Sequence, residues 1–199
     1  DCQDLKALFK NVIREDVLNN VTRKLVDKTN NSLETLGYKV QVFCREINFF
    51  YLADGIRSRI EQHADQFKVL DTGLTFSSTE IEQLIAEEPE KFSPNVILRP
   101  LYQECILPNL AYVGGPAEII YWLQLKEVFQ HFNTPFPILM PRNFGMVMDH
   151  ETARKFSKTG LELSDIFEEK NFLFNHWVLK NSPRNLTVGN ERMEVVRIF

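Results

Sequence analysis

Hydrophobic positions near the start of the chain recur at steps of three and four residues, which is the period of an amphipathic helix. The stripe begins with Leu5, Leu8, Phe9, Val12 and Ile13. It continues less regularly to Leu36, with a predicted break near Asn19-Asn20, and Gly37 is expected to end the helix as a C-terminal cap. The next segment, Tyr38–Cys44, alternates apolar and polar residues and is therefore predicted to be a strand.

Short alternating segments between residues 47 and 94 predict a small antiparallel meander. Its expected strands are Asn48–Leu52, Ile56–Ile60 and Phe67–Leu70. The alternation places Arg57 and Arg59 on one face of the second strand, and we interpret this face as solvated. A short helix, Glu80–Glu87, is predicted to follow the meander.

The segment from residue 92 to residue 142 predicts a strand, a glycine turn, a helix and a second strand. These parts are Leu110–Val113, Gly114-Gly115-Pro116, Ala117–Phe132 and Ile138–Met140. A strand–helix–strand unit normally has parallel strands joined by a right-handed crossover. Helical patches follow at residues 151–158, 163–168 and 172–180, and residues 181–183 are interpreted as a linker.

Composition narrows the class of protein. The 199 residues carry a net charge of −4, which weighs against a dedicated nucleic-acid-binding protein, and no apolar run is long enough to cross a bilayer. The three cysteines Cys2, Cys44 and Cys105 are widely spaced, which favours reduced thiols in the cytoplasm. The histidines show no ligand-like pairing, so no metal site is expected. The chain begins without Met and ends in an apolar run, and we interpret it as a piece of a longer protein.

Candidate chemistry gathers where the predicted parallel strands end, because open parallel sheets bind ligands at the carboxyl ends of their strands. The residues that follow these three strand ends include Arg45 and Asn48, Gly114, Gly115 and Glu118, and Arg142 and Asn143. With Glu46 beside Arg45, the sequence therefore predicts two arginines, two glutamates and a glycine turn around one crevice.

Each of these groups has a structural and a functional interpretation. The turn at Gly114-Gly115 either is a tight connection or presents free helix N–H groups to a phosphate or carboxylate. Glu118 either caps its own helix or grips a substrate ammonium and acts as a general base. Arg45, Arg99 and Arg142 either form surface ion pairs or clamp an anionic ligand.

Several stretches of the chain resemble the BshC family of cysteine ligases in bacillithiol biosynthesis. They are SPNVILRPLYQE at 93–104, LPNLAYVGGPAE at 107–118 and YWLQLK at 121–126, with further similarity at 45–51 and 137–142. The resemblance implies a Rossmann-like core with inserted segments and a C-terminal coiled coil that forms a homodimer. It also implies a reaction that joins cysteine to glucosaminyl-malate by an amide bond.

With the resemblance, the predicted fold is α/β: part of a Rossmann-like parallel sheet core with an inserted small antiparallel subdomain and a helical C-terminal segment. Residues 1–46 and 95–148 are assigned to the core, 47–94 to the insertion and 149–199 to the helical segment. The expected partners are cysteine, glucosaminyl-malate and the rest of the polypeptide, without nucleic acid or membrane.

The strand-end pattern and the resemblance together suggest roles for particular residues. Glu118 is the candidate catalytic residue. The candidate substrate-binding residues are Arg45, Asn48, Arg99, Gly114, Gly115, Arg142 and Asn143. The cofactor is unassigned, with ATP or ADP left open, and this piece is expected to be inactive by itself. The alternatives are a non-catalytic anion- or nucleotide-binding module and another nucleotide-dependent transferase, since a fold does not fix a function.

Overall fold

Three helices open the chain in the computed structural model, which describes residues 2–182. They are α1 (Gln3–Ala7), α2 (Lys10–Asn19) and α3 (Val21–Thr35). The predicted break is confirmed, because Asn20 has a left-handed φ of 53° between α2 and α3. Gly37 ends α3 as predicted, with a φ of 84° that glycine adopts without a Cβ clash.

A five-stranded antiparallel sheet follows the helices. Its strands are β1 (Phe49–Ala53), β2 (Ile56–His63), β3 (Gln66–Val69), β4 (Thr75–Ser77) and β5 (Phe92–Pro94), in the order β4-β3-β2-β1-β5. The three predicted strands are confirmed. The sequence did not reveal β4 and β5, because strands of three residues are too short to show an alternation.

The two faces of this sheet have different environments. Phe49 and Ile60 point to the inner face and are buried, whereas Arg57 and Arg59 lie on the outer face and are exposed, as predicted. Phe9 packs against the inner face, with its ring centroid 6.1 Å from that of Phe49. The outer face is therefore free to border a cavity.

The helix after β4 is α4 (Ser78–Glu87), which confirms the predicted short helix. Ser77 caps it, since the Glu80 N–H donates to Ser77 Oγ at 3.3 Å and the Ser77 N–H donates to the Glu80 carboxylate at 2.7 Å. This reciprocal pair satisfies two amide groups that have no partner inside the helix.

The second half of the larger unit contains the strand–helix–strand arrangement. Its elements are α5 (Arg99–Ile106), β6 (Ala111–Gly114), α6 (Pro116–Leu123), α7 (Lys126–His131) and β7 (Ile138–Pro141). Strands β6 and β7 are parallel, as predicted, with Gly114 opposite Pro141. The predicted single helix from Ala117 to Phe132 is wrong, because it divides into α6 and α7 around Gln124.

The predicted strand at Tyr38–Cys44 is also wrong, because these residues form neither a strand nor a helix. The side chain of Gln124 takes the hydrogen bonds that a neighbouring strand would otherwise provide. Its oxygen accepts from the N–H groups of Gln41 and Val42 at 3.1 and 3.2 Å, and its amide donates to Val42 O at 3.0 Å. Gln41 and Val42 of this alternating segment thus bond to one buried glutamine rather than to a strand.

The fold is therefore mixed α/β, with an antiparallel five-stranded sheet and a parallel two-stranded sheet in residues 2–182. The chain divides into two compact units, Asp1–Asn143 and Phe144–Phe199. The second unit contains α8 (His150–Ser157), a short 3₁₀ helix (Leu163–Phe167) and α9 (Lys170–Asn181), where helical patches were predicted. Residues 183–199 lie outside the described residues. They include the last residue of the predicted linker and the end of the predicted C-terminal segment.

Candidate functional site

The glycine turn joins β6 to α6 and is closely packed. A Cβ on Gly115 would lie 3.0 Å from Nη2 of Arg142 and 3.3 Å from the Glu118 carboxylate. A Cβ on Gly114 would lie 2.7 Å from the ring of Tyr112. Glycine is required here because the backbone must approach a guanidinium, a carboxylate and an aromatic ring.

Glu118 stands in the first turn of α6 and points back to the glycine turn. One carboxylate oxygen accepts from the Gly115 N–H at 2.7 Å, and the other accepts from the Tyr112 hydroxyl at 3.4 Å. Burial raises the pKa of Tyr112, with smaller contributions from Tyr121 and Glu118, so this hydroxyl keeps its proton as a donor. The structural interpretation of Glu118 as a helix cap is thus present, and its catalytic role stays a prediction.

Arg142 follows β7 and lies beside the same turn. Its backbone N–H donates to Gly114 O at 2.7 Å, and its guanidinium covers Gly115. The fold therefore brings Gly114, Gly115, Glu118 and Arg142 together, as the strand ends predicted. Asn143 is exposed and makes no hydrogen bond to a side chain of residues 2–182, so its role in binding stays a prediction.

Arg99 begins α5 and borders the same region from the other side. With Glu118, Tyr112 and Tyr121 it lines a small cavity of about 190 Å³. Arg99 and Val96 also line a larger cavity of about 640 Å³, so the two cavities adjoin. The candidate site consequently has a carboxylate end at Glu118 and a cationic end beyond Arg99.

The larger cavity collects four arginines. They are Arg45, Arg57, Arg59 and Arg99. Sequence reasoning proposed Arg45 and Arg99 but assigned the other two to a solvated face. They are exposed as predicted, yet β2 carries them to the edge of this cavity. Their shared face was visible in the alternation, but its position relative to Arg45 was not.

Asn48 is placed differently from the other candidates, because it is completely buried. Its backbone N–H and its side-chain amide donate to the two carboxylate oxygens of Asp16 at 2.6 and 3.0 Å. Its side-chain oxygen accepts from the Arg45 N–H at 3.2 Å and from the Asn95 side chain at 2.9 Å. In this arrangement Asn48 orients the backbone of the site, and contact with a substrate stays a prediction.

The cysteines are free thiols, as expected. Burial and the nearby Asp16 charge raise the pKa of Cys44 to about 12. Burial also raises the pKa of Cys105. Since the thiolate is the reactive form, both side chains are unreactive in this environment.

Two further observations concern metals and membranes. Residues 2–182 contain no group of three or more His, Cys, Asp or Glu side chains placed to hold a metal ion. Within the same range, every helix is too short or too polar to cross a membrane.

Fold and site together define the class of protein: a mixed α/β protein with a parallel strand–helix–strand unit whose glycine turn and arginines are suited to anionic ligands. Residues 1–143 match the family described as bacillithiol biosynthesis BshC, N-terminal Rossmann-like domain. The chain belongs to this family, and the resemblance drawn from the sequence is confirmed.

Curated relatives carry the name "Putative cysteine ligase BshC". A relative from Cytophaga hutchinsonii is 45% identical over 98% of this chain and 37% of its own length. A relative from Flavobacterium johnsoniae is 42% identical over 96% of this chain and 36% of its own length. A relative from Bacillus pumilus is 30% identical over 81% of this chain and 30% of its own length. The chain thus spans about a third of the length of these relatives.

Proposed function

We propose that the protein to which this chain belongs is a cysteine ligase that joins cysteine to glucosaminyl-malate through an amide bond, giving bacillithiol. Membership in the BshC family and the names of the relatives support the proposal. The observation that carries it in this chain is the two-ended crevice, with Glu118 at one end and arginines beyond Arg99 at the other. Glucosaminyl-malate has complementary charges at its two ends, since it carries an amine that suits Glu118 and malate carboxylates that suit the arginines.

The reaction needs the groups that surround the glycine turn. The carboxyl carbon of cysteine bonds to the amine nitrogen of the sugar, and one carboxylate oxygen and two ammonium protons leave, overall as water. In this proposal Glu118 holds the ammonium and accepts a proton from it, as a carboxylate does when it acts as a general base. Its bond from the Gly115 N–H at 2.7 Å keeps the carboxylate beside the glycine turn. Activation of the carboxyl group by ATP remains an open part of the proposal.

The reacting carboxyl group of cysteine, which must meet the amine held at Glu118, is proposed to bind at the start of α6. Pro116 has no N–H, and the next backbone N–H groups of the helix, at Ala117 and Glu118, precede any acceptor in an earlier turn. These groups and the Arg142 guanidinium form a positive environment for a carboxylate or phosphate. Because Gly115 has no side chain, the Arg142 guanidinium and the Glu118 carboxylate can lie close to this turn.

We further propose that β6 and β7 belong to a larger Rossmann-like parallel sheet. Ile138 and Val113 are 69% and 58% exposed on these strands, and such a sheet is normally covered on both faces. The rest of the polypeptide would supply that cover, with residues 47–94 as an insertion in the core of residues 1–46 and 95–148 and with residues 149–199 as the helical segment. Homodimer formation, a cytoplasmic location and inactivity of this piece by itself belong to the same proposal.

The test uses the full-length protein with a Glu118→Gln substitution. Glutamine at this position can still accept the Gly115 N–H bond, so the helix cap survives while the base is lost. We expect kcat for bacillithiol formation, measured by mass spectrometry, to fall by about 10² to 10⁴. The control is Glu82→Gln, which removes an exposed carboxylate that pairs with Arg14 at 2.8 Å. Equal turnover by the two variants would remove Glu118 from catalysis.

A further inference from the structure

Four arginine side chains line the 640 Å³ cavity. We call it the four-arginine cavity, after Arg45, Arg57, Arg59 and Arg99. No Asp or Glu is among the described residues that line it, although the whole chain has a net charge of −4. Four like charges around one space repel one another, and a ligand of opposite charge relieves that repulsion.

These arginines are available to a ligand because they lack the close ion pairs that other arginines of the chain form. Arg14 and Arg23 each lie 2.8 Å from a carboxylate oxygen. In contrast, Arg45, Arg57 and Arg99 form no ion pair with any of residues 2–182, and Arg59 approaches Glu61 only to 3.9 Å. All four are exposed to solvent.

The backbones of Arg45 and Arg99 are held by one buried network. The Asn48 side chain bonds to both the N–H and the C=O of Arg45, at 3.2 and 3.0 Å. Asn48 also accepts from Asn95 at 2.9 Å, and Asn95 O accepts the Arg99 N–H at 2.9 Å. The backbones of Arg45 and Arg99 are therefore linked by hydrogen bonds in the absence of a ligand.

The antiparallel sheet fixes the other two arginines. Arg59 is opposite Phe50 and Arg57 is opposite Leu52 in the register of β1 and β2. The Arg57 guanidinium lies over the Phe50 ring at 4.0 Å, which orients it and reduces its freedom. The sheet thus carries Arg57 and Arg59 to the cavity, and the polar network of Asn48 and Asn95 holds the backbones of Arg45 and Arg99 beside it.

We infer that the four-arginine cavity binds a small molecule that carries at least two carboxylate or phosphate groups. Guanidinium groups pair with either anion in a bidentate manner, and several together favour a multivalent ligand over a monovalent one. The volume lies in the range of small-molecule sites, and Val42, Phe43 and Val96 offer an apolar wall beside the charges. This inference rests on the proposed function for the anionic end of the crevice, and it adds Arg57 and Arg59 to that end and assigns binding and not catalysis.

The test is calorimetric titration of the full-length protein with acetate, L-malate, citrate, pyrophosphate and tripolyphosphate. The variant is Arg57→Gln/Arg59→Gln, which changes two exposed residues of β2 and leaves the buried network intact. Arg14→Gln/Arg23→Gln removes the same charge from exposed ion pairs outside the cavity. Circular dichroism checks that each variant is folded.

We expect at least one multivalent anion to bind about tenfold or more tightly than acetate. The β2 variant should weaken that binding about tenfold or more, and the control variant should change it less than about twofold. Preference for the carboxylates or for the condensed phosphates identifies the ligand class, and both support the assignment. Binding no tighter than acetate, or equal losses in the two variants, would overturn it. Neither result depends on bacillithiol formation, so the proposed function stands or falls separately.

Discussion

Replacement of Gln124 by leucine tests whether this side chain holds Gln41 and Val42 through hydrogen bonds that a neighbouring strand would otherwise provide. Gln124 is completely buried and bonds to Gln41, to Val42 twice and to the Asn30 side chain at 2.8 Å. Leucine nearly preserves the volume but can make none of these bonds. Gln41 is exposed and its amide gains water, whereas the groups of Val42 and Asn30 are left without partners in a largely buried place.

The expected loss of stability follows from three polar groups, which are the N–H and the C=O of Val42 and the side-chain oxygen of Asn30. A polar group left unsatisfied in the interior costs about 1–3 kcal/mol, and partial access to water favours the lower value, so the segment loses about 3 kcal/mol of local stability. Since each 1.4 kcal/mol is a factor of ten, the amides of Gln41 and Val42 should exchange with deuterium roughly 10²-fold faster. The measurement is hydrogen exchange by mass spectrometry on the full-length protein.

Gln83→Leu is the matched control, because Gln83 is exposed on α4 and bonds only to Glu87 at 3.0 Å. Its effect on stability should stay within about 0.5 kcal/mol. Unchanged exchange at Gln41 and Val42 in folded Gln124→Leu protein would refute the reasoning. The glutamine would then not be the partner that holds this segment.

Two other predictions concern titratable groups. Burial raises the pKa of Asp16 from its usual 3.8 to about 6 although Asn48 donates to it, so the folded state binds this proton more tightly than the unfolded state. The wild type should therefore lose stability relative to Asp16→Asn as the pH rises from about 4 to 6, by about 3 kcal/mol at most, in urea unfolding at several pH values. A difference that does not change with pH would contradict this. Cys44, with its pKa near 12, should react with iodoacetamide at pH 8 about tenfold or more slowly than exposed Cys2, measured by peptide mass spectrometry. Equal rates would show that the thiol is accessible and ionised.

Much of the local structure could be predicted from the sequence because its signals are local. The break at Asn20 and the stop at Gly37 depend on single residues that adopt a left-handed φ. The strands β1 to β3 follow from alternation, and the glycine turn with Pro116 marks the start of α6. The strand ends also indicated that Arg142 and Glu118 would meet at this turn, since parallel strands end at one edge of a sheet.

The sequence by itself thus determined most of the periodic elements, the family and the candidate site residues other than Arg57 and Arg59. Only the tertiary structure decided that Gln41 and Val42 bond to Gln124, more than 80 positions away, and that residues 38–44 form no strand. Only the packing buried Asn48 on Asp16 and carried Arg57 and Arg59 to Arg45 and Arg99. The physical reason is that periodicity and caps are set by neighbours along the chain. In contrast, the hydrogen-bond partner of a buried amide and the neighbours of an exposed arginine depend on which distant segment the fold places beside them.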